Sequence, residues 1–263
     1  MTLAVDGFPK IFITHASGEK ELASEVKSYL RMIGFLGFVA HEDIEATREW
    51  ENVILQELST CAGMVVIASS SAKESFYVNQ EIGSAIGAGR GVVSILNGCA
   101  PWGMLARYQA LRWASSDPAK SKKWGDRDAM EANLPALFRA LSNVGVASKA
   151  HLIEGIGASS SYEEARVTAR MLADMGDLDQ SQALRLAELT ASNMIVSECW
   201  EAQYKLPPLF LPFRDKMDHR ISDKLEETFL KKWNLQQRLA AQREASRPDT
   251  GGSESRAEQP NSG

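Results

Sequence analysis

The chain has 263 residues, of which 44% are hydrophobic and 24% are charged, so it can bury a full-sized core. Its formal charge of −5 gives no overall attraction to nucleic acid or anionic membranes, and the sequence shows no local cluster of Lys and Arg that could provide such attraction. No apolar run approaches the ~20 residues of a membrane span, and no signal peptide is evident, so we expect a cytoplasmic protein without nucleic-acid or membrane partners.

Short β-rich runs alternate with helical patterns in the first half of the chain, which predicts a parallel sheet. The predicted strands are 10–14, 35–40, 63–69, 91–96 and 110–113. Apolar residues at helical spacing predict amphipathic helices around 22–33, 50–58, 75–87 and 129–144. Ser17, Thr47 and Ser75 stand where helix N-caps belong. The expected architecture is an α/β domain over residues 1–147, with a five-stranded parallel sheet in three layers and the flavodoxin-like order 2-1-3-4-5.

A smaller all-helical region is predicted over residues 148–245, where the strand signal disappears. Helical periods occupy 161–175 and 180–197, and Asp179 is a candidate N-cap for the second. After a proline-interrupted connector, one stripe of apolar residues recurs every fourth position on a long helix: Ile221, Leu225, Phe229 and Trp233. Such a stripe indicates a contact surface. Residues 246–263 have almost no apolar content and are predicted to be disordered.

Three motifs suggest chemistry that their context does not support. "HEDIE" (41–45) resembles the zinc-binding HExxH, but its last position is Glu45 and it follows a strand, so we predict no metal. "GAGRG" (87–91) joins a helix to a strand, whereas a dinucleotide-binding glycine loop joins a strand to a helix. The run 63–69 ends without the acceptor aspartate of a phosphate receiver. The three cysteines lack the CxxC spacing of zinc or redox sites.

In the assumed sheet order, ligands bind where the loops after the first and third strands meet. These loops are 15–19 and 69–75, so Ser17 and the helix that carries Glu81 should lie near one cleft. Tyr77 and Glu81, four residues apart, lie along one edge of that helix. A glutamate on an amphipathic helix is most often a solvated surface group, and the residues alone favour that interpretation.

"KIFITHASGEKELA", "FVAHEDIEATREWENVILQEL", "SFYVNQEIGSAIG" and "GCAPWGMLARYQALRW" resemble successive motifs of bacterial Toll/interleukin-1 receptor (TIR) domains, over about residues 8–145. The resemblance implies cleavage of NAD+ at the nicotinamide–ribose bond, with NAD+ as substrate and no cofactor. The family's catalytic glutamate follows an aromatic residue, usually Trp, by four positions; this motif falls on Tyr77 and Glu81. His15, Ser17, Phe76 and Tyr77 are the expected NAD+-binding residues.

One carboxylate is sufficient for this chemistry. Nicotinamide leaves as a neutral molecule, so no general acid is needed, and a fixed negative charge stabilises an oxocarbenium-like transition state. Attack by water gives ADP-ribose, whereas attack by an adenine nitrogen gives a cyclic isomer; the sequence does not choose between them.

Self-association is expected through the loop Ala40–Thr47, which contacts neighbouring domains in TIR assemblies, and through the helical region. The resemblance also implies a role in antiphage defence signalling, with a possible associated effector protein. Two other functions stay open: a non-catalytic adaptor in which Glu81 is incidental, and a receptor that binds a nucleotide signal without turnover.

Overall fold

The computed structural model describes residues 7–39, 50–114 and 127–231, together with 233, 234, 237 and 238. Five parallel strands form one sheet in the order β2-β1-β3-β4-β5. The strands are β1 (Lys10–Thr14), β2 (Leu36–Val39), β3 (Gly63–Ala68), β4 (Gly91–Leu96) and β5 (Leu111–Arg112). The predicted flavodoxin-like sheet is therefore confirmed, and each strand ends within one residue of its predicted bounds.

Helices cover both faces of this sheet. They are α1 (Lys20–Met32), α2 (Trp50–Thr60), α3 (Ser70–Glu74), α4 (Phe76–Gly87) and α5 (Arg127–Asn143). Ser75 caps α4 as predicted, since its hydroxyl accepts a hydrogen bond from the backbone N–H of Val78. The prediction for Ser17 is wrong: Ser17 begins a short 3₁₀ turn, and α1 starts only at Lys20 without a side-chain cap. Thr47 lies outside the described residues.

The sheet separates two apolar cores because alternate strand residues point to opposite faces. Ile11 and Ile13 of β1 belong to the core beneath α1, α5 and the C-terminal helices. Phe12, between them, belongs to a second core beneath α2 and α4. Thr14 follows Phe12 with the same alternation, so its side chain faces α4.

Short helices make up the C-terminal region, in agreement with the predicted fold class. They are α6 (Lys149–Gly157), α7 (Tyr162–Asp174), α8 (Gln180–Ser192), α9 (Met194–Glu198), α10 (Trp200–Lys205), α11 (Pro207–Phe210) and α12 (His219–Leu225), with a 3₁₀ turn over Leu211–Lys216 and a π-helical turn over Glu226–Leu230. Asp179 caps α8, as predicted, in a reciprocal capping box with Gln182. The continuous helix predicted for 180–197 is interrupted at Asn193, whose side chain caps α9.

The C-terminal helices pack directly against the sheet domain. Gly34, which precedes β2, lies so close to α6 that an added Cβ would approach the carbonyl oxygen of His151 to 2.0 Å. Arg31 at the end of α1 forms an ion pair of 2.8 Å with Glu164 of α7. One continuous core includes residues from both regions, and a boundary between residues 147 and 148 stays a prediction.

The apolar stripe on the last helix is not a free contact surface, contrary to prediction. Leu225 and Phe229 are fully buried, and the ring of Phe229 lies 6.1 Å from that of Phe210 in α11. The sequence prediction was wrong because the stripe is covered from within the chain: α8 contacts α12, α9 contacts the π-helical turn, and Phe210 of α11 lies beside Phe229. Within the described residues, no helix is both long and apolar enough to cross a membrane. The loop 40–47 and the tail 246–263 lie outside them.

Candidate functional site

A cleft of about 370 Å³ opens at the carboxyl end of the sheet, between the carboxyl end of β1 and the first turns of α4. The turn that follows β1 forms one wall, and Ser71 and Ser75 contribute from the segment after β3. Tyr77, Val78 and Glu81 of α4 form the opposite wall. In open parallel sheets, ligands bind at this position, outside the carboxyl ends of the strands. It is the point where the chain connections from two adjacent strands run in opposite directions along the sheet.

Glu81 is the carboxylate of this cleft. Helix α4 buries Val78, Ile82 and Ala85 in the core, which places Glu81 along the edge of its apolar face. The hydroxyl of Thr14, at the end of β1, donates a hydrogen bond of 2.5 Å to Glu81 Oε2. Burial raises the pKa of Glu81 to about 7, and the hydrogen bond from Thr14 opposes that rise. Glu81 therefore changes its charge near neutral pH.

His15 and Ser17 line the same cleft, as the sequence predicted for two residues that follow the first strand. His15 is buried, with Nδ1 2.6 Å from the carbonyl oxygen of Ala16, whereas Ser17 is exposed on its 3₁₀ turn. The structure thus brings His15, Ser17 and Glu81 together. Their proposed roles in binding NAD+ stay predictions.

A second pocket, of about 280 Å³, lies on the other side of Tyr77 and Glu81, between α2 and α4. Its remaining lining comes from Ile54, Leu55 and Leu58 of α2 and from Gln80 and Ser84 of α4. Tyr77 and Glu81 line both pockets, so the carboxylate can reach a ligand that extends from one pocket into the other.

The two candidate aromatic residues occupy different positions. Tyr77 lines both pockets and is 57% exposed. Phe76 is 84% exposed and lines neither pocket. Of the two rings, only that of Tyr77 is placed to contact a ligand held beside Glu81 in this structure.

A larger cavity, of about 470 Å³, lies between α5 and α7, away from the carboxyl ends of the strands. Two charged residues in its lining, Glu131 and Arg170, face each other at 3.6 Å, and Arg170 also pairs with Glu201. These ion pairs join α7 to α5 and to α10. We therefore take the smaller cleft around Glu81 as the candidate functional site.

Within the part of the chain that the structure describes, no group of three or more His, Cys, Asp or Glu side chains could hold a metal ion. The "HEDIE" motif falls outside that part. Thr14 is the site residue that sequence reasoning missed. The sequence feature that could have identified Thr14 is its position: it is a polar residue at the carboxyl end of the buried strand "KIFIT", directly before His15.

A family model described as "TIR domain" matches residues 11–125. The match contains β1 from its second residue, Ile11, the strands β2–β5 and all the residues that line the cleft around Glu81, and it ends before α5. None of the curated proteins is significantly similar to the chain.

Proposed function

Because residues 11–125 form a TIR domain, we propose that this protein cleaves NAD+ at the nicotinamide–ribose bond, with Glu81 as the catalytic carboxylate. The observation that carries the proposal is the position of Glu81, a largely buried carboxylate that lines a cleft at the carboxyl end of the sheet. NAD+ is the substrate in this proposal, and no cofactor takes part.

The environment of Glu81 supports a chemical role over a solvated one. An ordinary glutamate on a surface helix faces water and keeps its usual pKa. Glu81 instead lines two pockets, accepts a hydrogen bond from a buried hydroxyl and has a pKa raised to about 7 by burial. Strongly shifted pKa values in a cleft are typical of functional sites.

In the proposed mechanism, ionised Glu81 lies beside the ribose of bound NAD+. As the bond to nicotinamide breaks, its electron pair leaves with the neutral base, and positive charge develops on the anomeric carbon and ring oxygen. A carboxylate in a partly buried cleft stabilises that charge more strongly than one in water. The exposed ring of Tyr77 provides a surface on which a planar ring can stack.

Two outcomes complete the reaction. Water adds to the anomeric carbon and loses a proton, giving ADP-ribose, or an adenine nitrogen of the same molecule attacks and gives a cyclic isomer. Both routes share the cleavage step at Glu81, so the proposal covers a glycohydrolase and a cyclase.

The direct test is to incubate the full chain with NAD+ and separate the products by chromatography. Wild-type protein should release nicotinamide, and Glu81→Gln should slow this release about 100-fold or more, because one electrostatic contact to the transition state is lost. Glu74→Gln is the matched control, since Glu74 is exposed and lines neither pocket. Equal turnover by all three proteins would remove Glu81 from the mechanism.

A second candidate function, a non-catalytic TIR adaptor, is favoured by the exposed apolar side chains near the cleft. Phe76 and Leu55, which are largely exposed, offer a surface of the kind that protein contacts use. In that case the protein would bind a partner or a second copy and leave NAD+ intact. Binding of a nucleotide without turnover would instead identify a receptor.

The wider biological setting is also part of the proposal. All three cysteines are free thiols, which suits a reducing compartment, so we place the protein in the cytoplasm. We propose that it acts in bacterial antiphage defence, with self-association through the loop 40–47 and the C-terminal helices and with an associated effector protein as a possible partner.

A further inference from the structure

We propose that Thr14 is a positioning residue for Glu81: its hydroxyl holds carboxylate oxygen Oε2 and thereby leaves Oε1 to contact the substrate. The inference rests on the proposed function for its kinetic consequence. The contact itself, between two side chains 67 residues apart in sequence, is tested by a measurement that does not depend on turnover.

Thr14 is well suited to act as a fixed donor. It is the last residue of β1 and pairs in register with Val66 of the central strand β3. Its side chain is 1% exposed, and a β-branched residue has few rotamers open to it. The hydroxyl is therefore held by the sheet, while Glu81 extends toward it from α4.

Glu81 needs such a partner because its side chain has three rotatable bonds and no other hydrogen bond to it is seen among the described residues. Burial disfavours the ionised carboxylate, whereas a donated hydrogen bond favours it. One contact thus fixes the direction of the carboxylate and supports its charged form. His15 and Tyr77 are the other titratable side chains that line the cleft with Glu81.

The test compares Thr14→Val, which keeps the shape of the side chain and removes the hydroxyl, with Thr14→Ser, which keeps the hydroxyl. Thr190→Val is the matched control: Thr190 is equally buried, in α8, and its hydroxyl has no hydrogen-bond partner among the described residues. Circular dichroism establishes that each variant is folded.

Kinetics with NAD+ should show a loss in kcat of about tenfold for Thr14→Val at neutral pH, with KM changed less than about twofold, because a misdirected carboxylate binds substrate but stabilises the transition state poorly. The acidic limb of its kcat–pH profile should move to higher pH. Thr14→Ser should recover most of the lost rate, and Thr190→Val should match the wild type. An unchanged kcat and profile for Thr14→Val would overturn the inference, as would an equal loss in Thr190→Val.

A measurement that needs no turnover separates this inference from the proposed function. The side-chain carboxyl carbon of Glu81 is titrated by ¹³C NMR, and its signal is assigned by its absence in Glu81→Gln. The pKa of Glu81 should be higher in Thr14→Val than in the wild type, because the hydrogen bond that lowers it is gone. If the wild type does not cleave NAD+ but this rise is seen, the proposed function is wrong and the positioning contact stands. If the pKa does not rise, the positioning contact is wrong.

Discussion

The ring of Phe35, immediately before β2, stacks on the imidazole of His151 in α6, with centroids 4.6 Å apart and planes 14° from parallel. Phe35 is fully buried, and burial also lowers the pKa of His151, so that the imidazole is neutral at neutral pH. The stack occupies the position where the chain enters β2. It therefore fixes the C-terminal helices to the sheet beside one of its strands.

Substitution of Gly155 tests this attachment. An added Cβ at Gly155 would lie 2.2 Å from the carbonyl oxygen of Met32 and 2.8 Å from the backbone nitrogen of Gly34. Because both are backbone atoms that cannot rotate away, Gly155→Ala should reduce the free energy of unfolding by about 1–3 kcal/mol, as overpacked cores do. Gly87→Ala is the control, since nothing lies within 4 Å of its added Cβ. Equal melting temperatures for the two variants would contradict the close contact.

The rate of NAD+ cleavage should rise with pH through an inflection near 7. In the proposed mechanism the active form of Glu81 is the carboxylate, and burial raises its pKa to about 7. Initial rates at NAD+ concentrations well below KM report kcat/KM and thus the ionisation of the free protein; they are measured between pH 5.5 and 8.5, with each buffer checked for protein stability. A rate that stays constant across this range would show that ionisation of Glu81 does not control turnover.

Replacement of Glu81 should stabilise the protein at alkaline pH. A carboxyl whose pKa is higher in the folded than in the unfolded state binds its proton more tightly when folded, so its contribution to stability falls as pH rises from about 4.5 to 7. Above pH 7 the buried charge costs on the order of 1–3 kcal/mol.

The measurement is chemical denaturation of the wild type and Glu81→Gln at pH 5 and pH 8. The stability advantage of the variant should be larger at pH 8 than at pH 5. If the difference between the two proteins is the same at both pH values, Glu81 titrates at its ordinary pKa and the buried carboxylate is not supported.

Two neighbouring aromatic residues should differ in their effect on substrate binding. Tyr77→Ala removes the ring that lines both pockets and should raise KM for NAD+ about fivefold or more, because one stacked base contributes about 1–3 kcal/mol. Phe76→Ala should leave KM nearly unchanged, since this ring lines neither pocket. Steady-state kinetics on both variants make the comparison. An effect of Phe76→Ala as large as that of Tyr77→Ala would place Phe76 in the binding site as well.

The sheet could be predicted because its strands are short apolar runs of β-branched residues, such as "GMVVIA" in β3, bounded by turn residues. Glu81 could be placed on the edge of an amphipathic helix, but its burial could not. That burial depends on what β1 and α2 place opposite α4, which the period of one helix does not contain. The contact from Thr14 escaped prediction for the same reason.

The errors in the C-terminal region have a related cause. The stripe at Leu225 and Phe229 shows that one helix face is apolar, but the sequence pattern does not show that α8 and α9 cover it. The interruption of the helix at Asn193 depends on side-chain hydrogen bonds to Gly157 and Ser159, which come from a distant part of the chain. Local periodicity predicts elements well, and tertiary partners decide where they end and what they face.

The five-stranded sheet separates the core that supports α2 and α4 from the core that joins α1, α5 and the C-terminal helices. A substitution at Ile82, on the cleft side, therefore has no direct apolar neighbour among the buried residues of α6–α8. Effects of substitutions without shared partners are close to additive. Across a lineage, the half of the sheet domain that carries the cleft can consequently change while the attached helices stay the same, and the attached helices can change without compensating substitutions around Glu81.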